Sequence, residues 1–181
     1  MNRFIMANSQ QCLGCHACEI ACVMAHNDEQ HVLSQHHFHP RITVIKHQQQ
    51  RSAVTCHHCE DAPCARSCPN GAISHVDDSI QVNQQKCIGC KSCVVACPFG
   101  TMQIVLTPVA AGKVKATAHK CDLCAGRENG PACVEIARRT RCNWSLTPHS
   151  PAWRNPPLAH RTSGTSTVAC QYRGARNAGN E

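Results

Sequence analysis

Residues 56 to 69, Cys56-His57-His58-Cys59-Glu60-Asp61-Ala62-Pro63-Cys64-Ala65-Arg66-Ser67-Cys68-Pro69, and residues 87 to 98, Cys87-Ile88-Gly89-Cys90-Lys91-Ser92-Cys93-Val94-Val95-Ala96-Cys97-Pro98, decide the fold. Each run holds four cysteines and closes on proline. Three closely spaced thiols can wrap a tight loop around three corners of one iron–sulfur cube. The fourth, ahead of proline, is carried away by a short helical turn and serves the cube of the other run. The inferred ligand sets are Cys56, Cys59, Cys64 and Cys97 for one 4Fe-4S cluster, and Cys87, Cys90, Cys93 and Cys68 for its neighbour. The two clusters must then lie close together. Structural zinc fits the spacing less well, because it wants two cysteine pairs separated by a longer spacer. Disulfides need an oxidising compartment, and neither a secretory leader pattern at the N-terminus nor an even cysteine count supports them, since there are 17 cysteines.

Composition points the same way. Only 3% of the 181 residues are aromatic, and cysteines supply a good part of the apolar total. A large hydrocarbon core is therefore out of reach, folding should depend on the clusters, and the metal-free chain is expected to be largely unfolded. No apolar run approaches the roughly 18 residues that would suggest a membrane span. Reduced thiols and iron make the cytoplasm the expected compartment.

A third group, Cys12, Cys15, Cys18 and Cys22, repeats the spacing of the group at Cys87 to Cys97, with Val23 where the others have proline. Ahead of it, Phe4 to Ala7 reads as a strand. From Cys18 to His26 the apolar spacing predicts a helix offering Ile20, Val23 and Met24 to one side. Residues 27 to 39 are polar and carry His31, His36, His37 and His39, which read as a solvated loop because no regular ligand spacing accompanies them. His57 and His58 fill the spacer between two cysteines already sufficient for a cluster, so Rieske-type ligation is not expected. Strands are expected at Arg41 to Lys46, Ser52 to Thr55, Ala72 to Val76, Ile80 to Asn83 and Met102 to Leu106, the third and fourth joined through Asp77-Asp78.

The fourth group begins in the same way and then fails. Cys121, Cys124 and Cys133 are present, but the positions for a last cysteine and its proline hold Ala137 and Arg138. Residues 136–181 also change character, with seven Arg, no Lys and one acid, so nearly all of the net charge of +7 lies there. The arginines are scattered, and Trp144, Trp153 and Tyr172 lack a stacking pattern, so a nucleic-acid arm is not expected. The segment reads as a disordered tail, or as one translated out of frame.

As a set, these motifs resemble the four-cluster 4Fe-4S ferredoxin-type electron-transfer proteins, a family that includes the HydN type and the iron–sulfur subunits of formate hydrogenlyase and formate dehydrogenase. The likeness covers residues 1–135, about three quarters of the chain, and is strongest toward the N-terminal iron–sulfur domain of the oxidoreductase AegA. It rests on Met1 to Phe4, on the cysteine groups, on Glu60-Asp61-Ala62-Pro63, and on Lys120 to Cys124 with Gly130-Pro131-Ala132-Cys133. It implies an α+β fold: tandem bacterial ferredoxin-like modules, short strands and helices wrapped around 4Fe-4S clusters, with an irregular C-terminal tail. The expected division is an inner two-cluster module at 56–106, an outer module at 1–55 with 107–135, and the tail at 136–181. The resemblance also implies that the first and fourth groups share two clusters. One would use Cys121, Cys124, Cys133 and Cys22, and the other Cys12, Cys15, Cys18 and a cysteine absent at Ala137. Three complete clusters are thus expected, with the fourth a three-iron cluster or an empty site.

The expected function is relay of single electrons between a redox enzyme, of formate dehydrogenase, hydrogenase or flavin oxidoreductase type, and an acceptor. There is no phosphate loop, dinucleotide fingerprint or nucleophile–base set to suggest bond-making chemistry. The alternatives are a truncated or frameshifted fragment of a larger iron–sulfur oxidoreductase, a redox protein catalytic at the Cys12, Cys15 and Cys18 site, or a zinc-binding module.

Overall fold

The computed structural model describes residues 2–27, 38–48, 50–108, 113–139 and 145–148. Four two-stranded antiparallel sheets and four short helices make up this part of the chain. Strand β1 (Arg3–Met6) leads into helix α1 (Ala17–His26), then the hairpin β2 (Thr43–His47) and β3 (Gln50–Val54). The one-turn helix α2 (Pro63–Arg66) precedes the hairpin β4 (Ile73–Val76) and β5 (Ser79–Val82), turned at Asp77-Asp78. Helix α3 (Ser92–Ala96) is followed by β6 (Gln103–Pro108) and β7 (Val114–His119), helix α4 (Ala132–Arg139) and β8 (Ser145–Pro148). The mixed α and β architecture and the expected strands are present, with edges moved by one or two residues.

Three elements had no counterpart in the sequence reading. Strand β7 contains Ala116 and Ala118, poor strand formers alone, but pairs with β6 from Gln103↔His119 to Pro108↔Val114 and buries Ala118. Helix α4 runs four residues past Glu135, and β8 closes a long-range pair with β1, from Arg3↔Pro148 to Met6↔Ser145. Residues 136–139 and 145–148 of the segment expected to be irregular are therefore helix and strand. Its remaining residues, together with His31, His36 and His37, lie outside the described residues.

Helix α1 needs a correction. Its buried face is Cys18, Glu19, Cys22 and Val23, while Ile20 and Met24 are exposed, at 40% and 65%. The two cysteines, one turn apart, set the rotation of the helix. The apolar side chains take what orientation remains.

Two buried clusters result. One gathers Ile5, Ile42, Val44, Val134 and Ala137 with cysteines of the first and fourth groups and Cys56. The other gathers Ile73, Ile80, Met102 and Ala118 with cysteines of the second and third groups. Helix α1 packs on α4 in the first, and α2 on α3 in the second. The same pairing of two helices is thus used twice, although Cys56 and Ala118 cross between the expected inner and outer segments.

Candidate metal centre

Each centre begins as a Cys-x-x-Cys loop. The third residue of every such loop has positive φ: Gly14 (65°), His58 (47°), Gly89 (69°) and Leu123 (59°). This turn wraps the backbone round the space between the thiols, and two non-glycine residues adopt it despite a cost of order 1–3 kcal/mol each. At Gly89 no side chain could be added, since a Cβ would fall 2.6 Å from the Ala116 carbonyl oxygen on β7.

The loops converge in pairs. Cys56, Cys59, Cys64 and Cys97 line one recess of about 320 Å³, beside Pro98, Phe99 and Met102. Cys68, Cys87, Cys90 and Cys93 line a second, of about 340 Å³. In each the last cysteine of one group joins the first three of the other. The outer groups behave alike on one side: Cys22 lies near enough to Cys121, Cys124 and Cys133 to act on them electrostatically. Cys18 is likewise influenced by Cys12 and Cys15. All fifteen candidate cysteines are free thiols, with Cys15 and Cys90 exposed.

Backbone amides point at several sulfurs. Ala72 N–H donates to Cys68 Sγ (3.3 Å), and Arg41, His58 and Ala118 N–H donate to the sulfurs of Cys22, Cys56 and Cys87 (3.4 Å each). Burial pushes the Cys59 and Cys64 thiols up to about 12, helped by neighbouring cysteines of the same recess. Burial likewise raises Cys121 and Cys133. Thiolates are costly in such surroundings unless cations neutralise them. Four converging sulfurs, amide donors aimed at them and a mostly apolar lining fit a thiolate-held iron–sulfur cluster. The set Cys12, Cys15 and Cys18 does not fit a four-thiolate site, because no fourth cysteine of the described residues joins it.

Several residues of these centres were not singled out from sequence. Lys120 is only 3% exposed; its ammonium donates to the carbonyls of Ile80 and Cys121, and it acts electrostatically on Cys64 and Cys121, which belong to different thiol sets. Asp122 pairs with the Arg41 guanidinium and with His26 Nε2 (2.9 Å), and accepts from Cys124 N–H (3.0 Å). Burial opposes its charge, yet these partners hold the carboxyl well below the usual range. His26 Nδ1 donates to the Cys22 carbonyl (2.7 Å), so both ring nitrogens face acceptors. Burial disfavours the imidazolium, but the Asp122 and Cys22 hydrogen bonds outweigh it and bring the pKa to about 10. Glu19 accepts from Val44 N–H (2.6 Å) and ties α1 to β2. The spacing of His26 one turn after Cys22 was the available signal; the partners of Lys120 and Glu19 are distant in sequence and left none.

The two spacer histidines are packed. His58 is fully buried and its Nδ1 accepts from Ile80 N–H (3.0 Å). His57 stacks on Phe99 at 3.9 Å and on Phe4 at 5.3 Å between ring centroids. Together they roof the recess at Cys56 with rings from three parts of the chain.

Among the described residues no helix is long and apolar enough to cross a membrane. A family model described as a 4Fe-4S dicluster domain matches residues 47–144. Electron transport protein HydN of Escherichia coli (strain K12) is 50% identical over 144 residues, covering 74% of this chain and 82% of that protein. Formate hydrogenlyase subunit 2 of the same strain is 39% identical over 163 residues, covering 75% and 78%. A probable iron–sulfur protein of the Frd operon of Proteus vulgaris is 54% identical over 112 residues, covering 58% and 71%. With paired four-cysteine recesses and this similarity, the chain belongs to the 4Fe-4S dicluster domain family of iron–sulfur electron-transfer proteins.

Proposed function

We propose that the chain is a relay, taking single electrons from one redox protein and passing them to another through a row of cubane sites. Three sites have complete thiolate sets: Cys56, Cys59, Cys64 and Cys97; Cys87, Cys90, Cys93 and Cys68; and Cys121, Cys124, Cys133 and Cys22. Cys12, Cys15 and Cys18 supply three thiolates of a fourth. The observation that carries this reading is the exchange of the last cysteine between groups, which gives each inner recess four sulfurs and draws the two recesses together.

When bound, a 4Fe-4S cubane gains and loses one electron without making or breaking bonds in a substrate. The protein's part is to hold, insulate and bias. Amide donors such as Ala72 and Ala118 spread sulfur charge into the backbone, and buried Lys120 offsets it near two thiol sets. The His57, Phe4 and Phe99 stack and Met102 keep water from one recess, while exposed Cys90 and Cys15 mark edges where a partner can approach.

The reducing conditions that keep these thiols free favour a cytoplasmic setting. The partner is a redox enzyme, of formate dehydrogenase, hydrogenase or flavin oxidoreductase type. The test is anaerobic purification followed by mixing with each enzyme type and its substrate. A brown protein with equal iron and labile sulfide, bleached by one of them, is expected; a colourless protein carrying zinc overturns the reading.

A further inference from the structure

We infer that the site at Cys12, Cys15 and Cys18 holds a three-iron cluster, its fourth corner facing the methyl group of Ala137. This rests on the cluster reading above and specifies what the incomplete set contains.

The argument is the internal symmetry of the helices. In the inner pair the last cysteine of each group stands four residues after the third and lines the recess of the other group: Cys68 after Cys64, and Cys97 after Cys93. In the outer pair Cys22 follows Cys18 by one turn of α1 and reaches the set of Cys121, Cys124 and Cys133. Helix α4 packs against α1, and Cys133 is close enough to act on Cys18. The reciprocal position, one turn after Cys133 on α4, is Ala137. It is 3% exposed and shares the buried cluster of Cys18, Cys22 and Cys133. The backbone for a fourth ligand is thus in place, and a side chain that cannot bind iron is buried there. A cube with one iron unsupported by the protein loses that corner most readily, which leaves three irons on three thiolates.

The experiment compares wild type and A137C, both assembled and kept without oxygen, by iron and sulfide analysis and by EPR of the oxidised samples. Wild type is expected to hold about fifteen irons and to give a three-iron signal; A137C is expected to hold about sixteen and lose it. Should A137C fail to accumulate, the wild-type spectrum decides. About sixteen irons without that signal in wild type overturns the inference, and its appearance in C142S or C170S then names the tail residue that completes the site. About twelve irons without the signal overturns it in favour of an empty site. Absence of all cubane signals defeats the relay reading itself, a distinct result.

Discussion

Lys120 illustrates what a single residue can do here. An ammonium held beside Cys64 and Cys121 favours the more negative, reduced form of clusters on either side. Replacing it by methionine, which keeps the bulk and removes the charge, should move the reduction potentials of those two sites to more negative values, read by EPR-monitored redox titration. A second contrast concerns Gly14 and Gly89, which share a turn but not a neighbourhood. A Cβ at Gly89 would strike the carbonyl and side chain of Ala116, whereas at Gly14 it would meet the movable ends of Arg51 and Lys46. Both substitutions carry the cost of positive φ, of order 1 kcal/mol or more. G89A should in addition displace β7 and lose iron from the Cys87 recess, while G14A keeps its metal; iron content and thermal midpoints would separate the two.

At the scale of elements, the pairing of β1 with β8 joins opposite ends of the described chain. Removing residues 140–181 should leave Arg3 to Met6 without a strand partner. Hydrogen exchange is expected to show faster exchange at those amides in the shortened chain, with the hairpin at Ile73 to Val82 unchanged. The hairpins themselves were readable because Asp77-Asp78 sits between two alternating segments. Strand β7 was not, because Lys115-Ala116-Thr117-Ala118 lacks the β-branched run that marks a strand, and its shape is imposed by β6 and by the Gly89 loop. Helix α1 was recognised, but its rotation was misread: the sulfurs of Cys18 and Cys22 outrank Ile20 and Met24 in deciding which side faces inward.

For the whole molecule, 10 of the 27 buried apolar residues among the described ones are cysteines, so much of the core is ligand rather than hydrocarbon. Stripping the iron with a chelator should therefore unfold the chain, with loss of helical and strand circular dichroism together, and reconstitution with iron and sulfide should restore both. By contrast, I80A, at a fully buried position between hairpin and inner recess, should cost about 2–5 kcal/mol while the outer centre keeps its iron.

Cysteine spacing, which is a local property, was enough to identify the clusters, to name their ligands and to find the position where one is missing. The order of thiols along the chain cannot show which buried charges surround them, since Lys120 meets Ile80, Glu19 meets Val44 and Asp122 meets Arg41 only after the helices have paired. Those contacts depend on distances across the fold, and so it was the tertiary structure that decided how the centres are insulated, charged and linked.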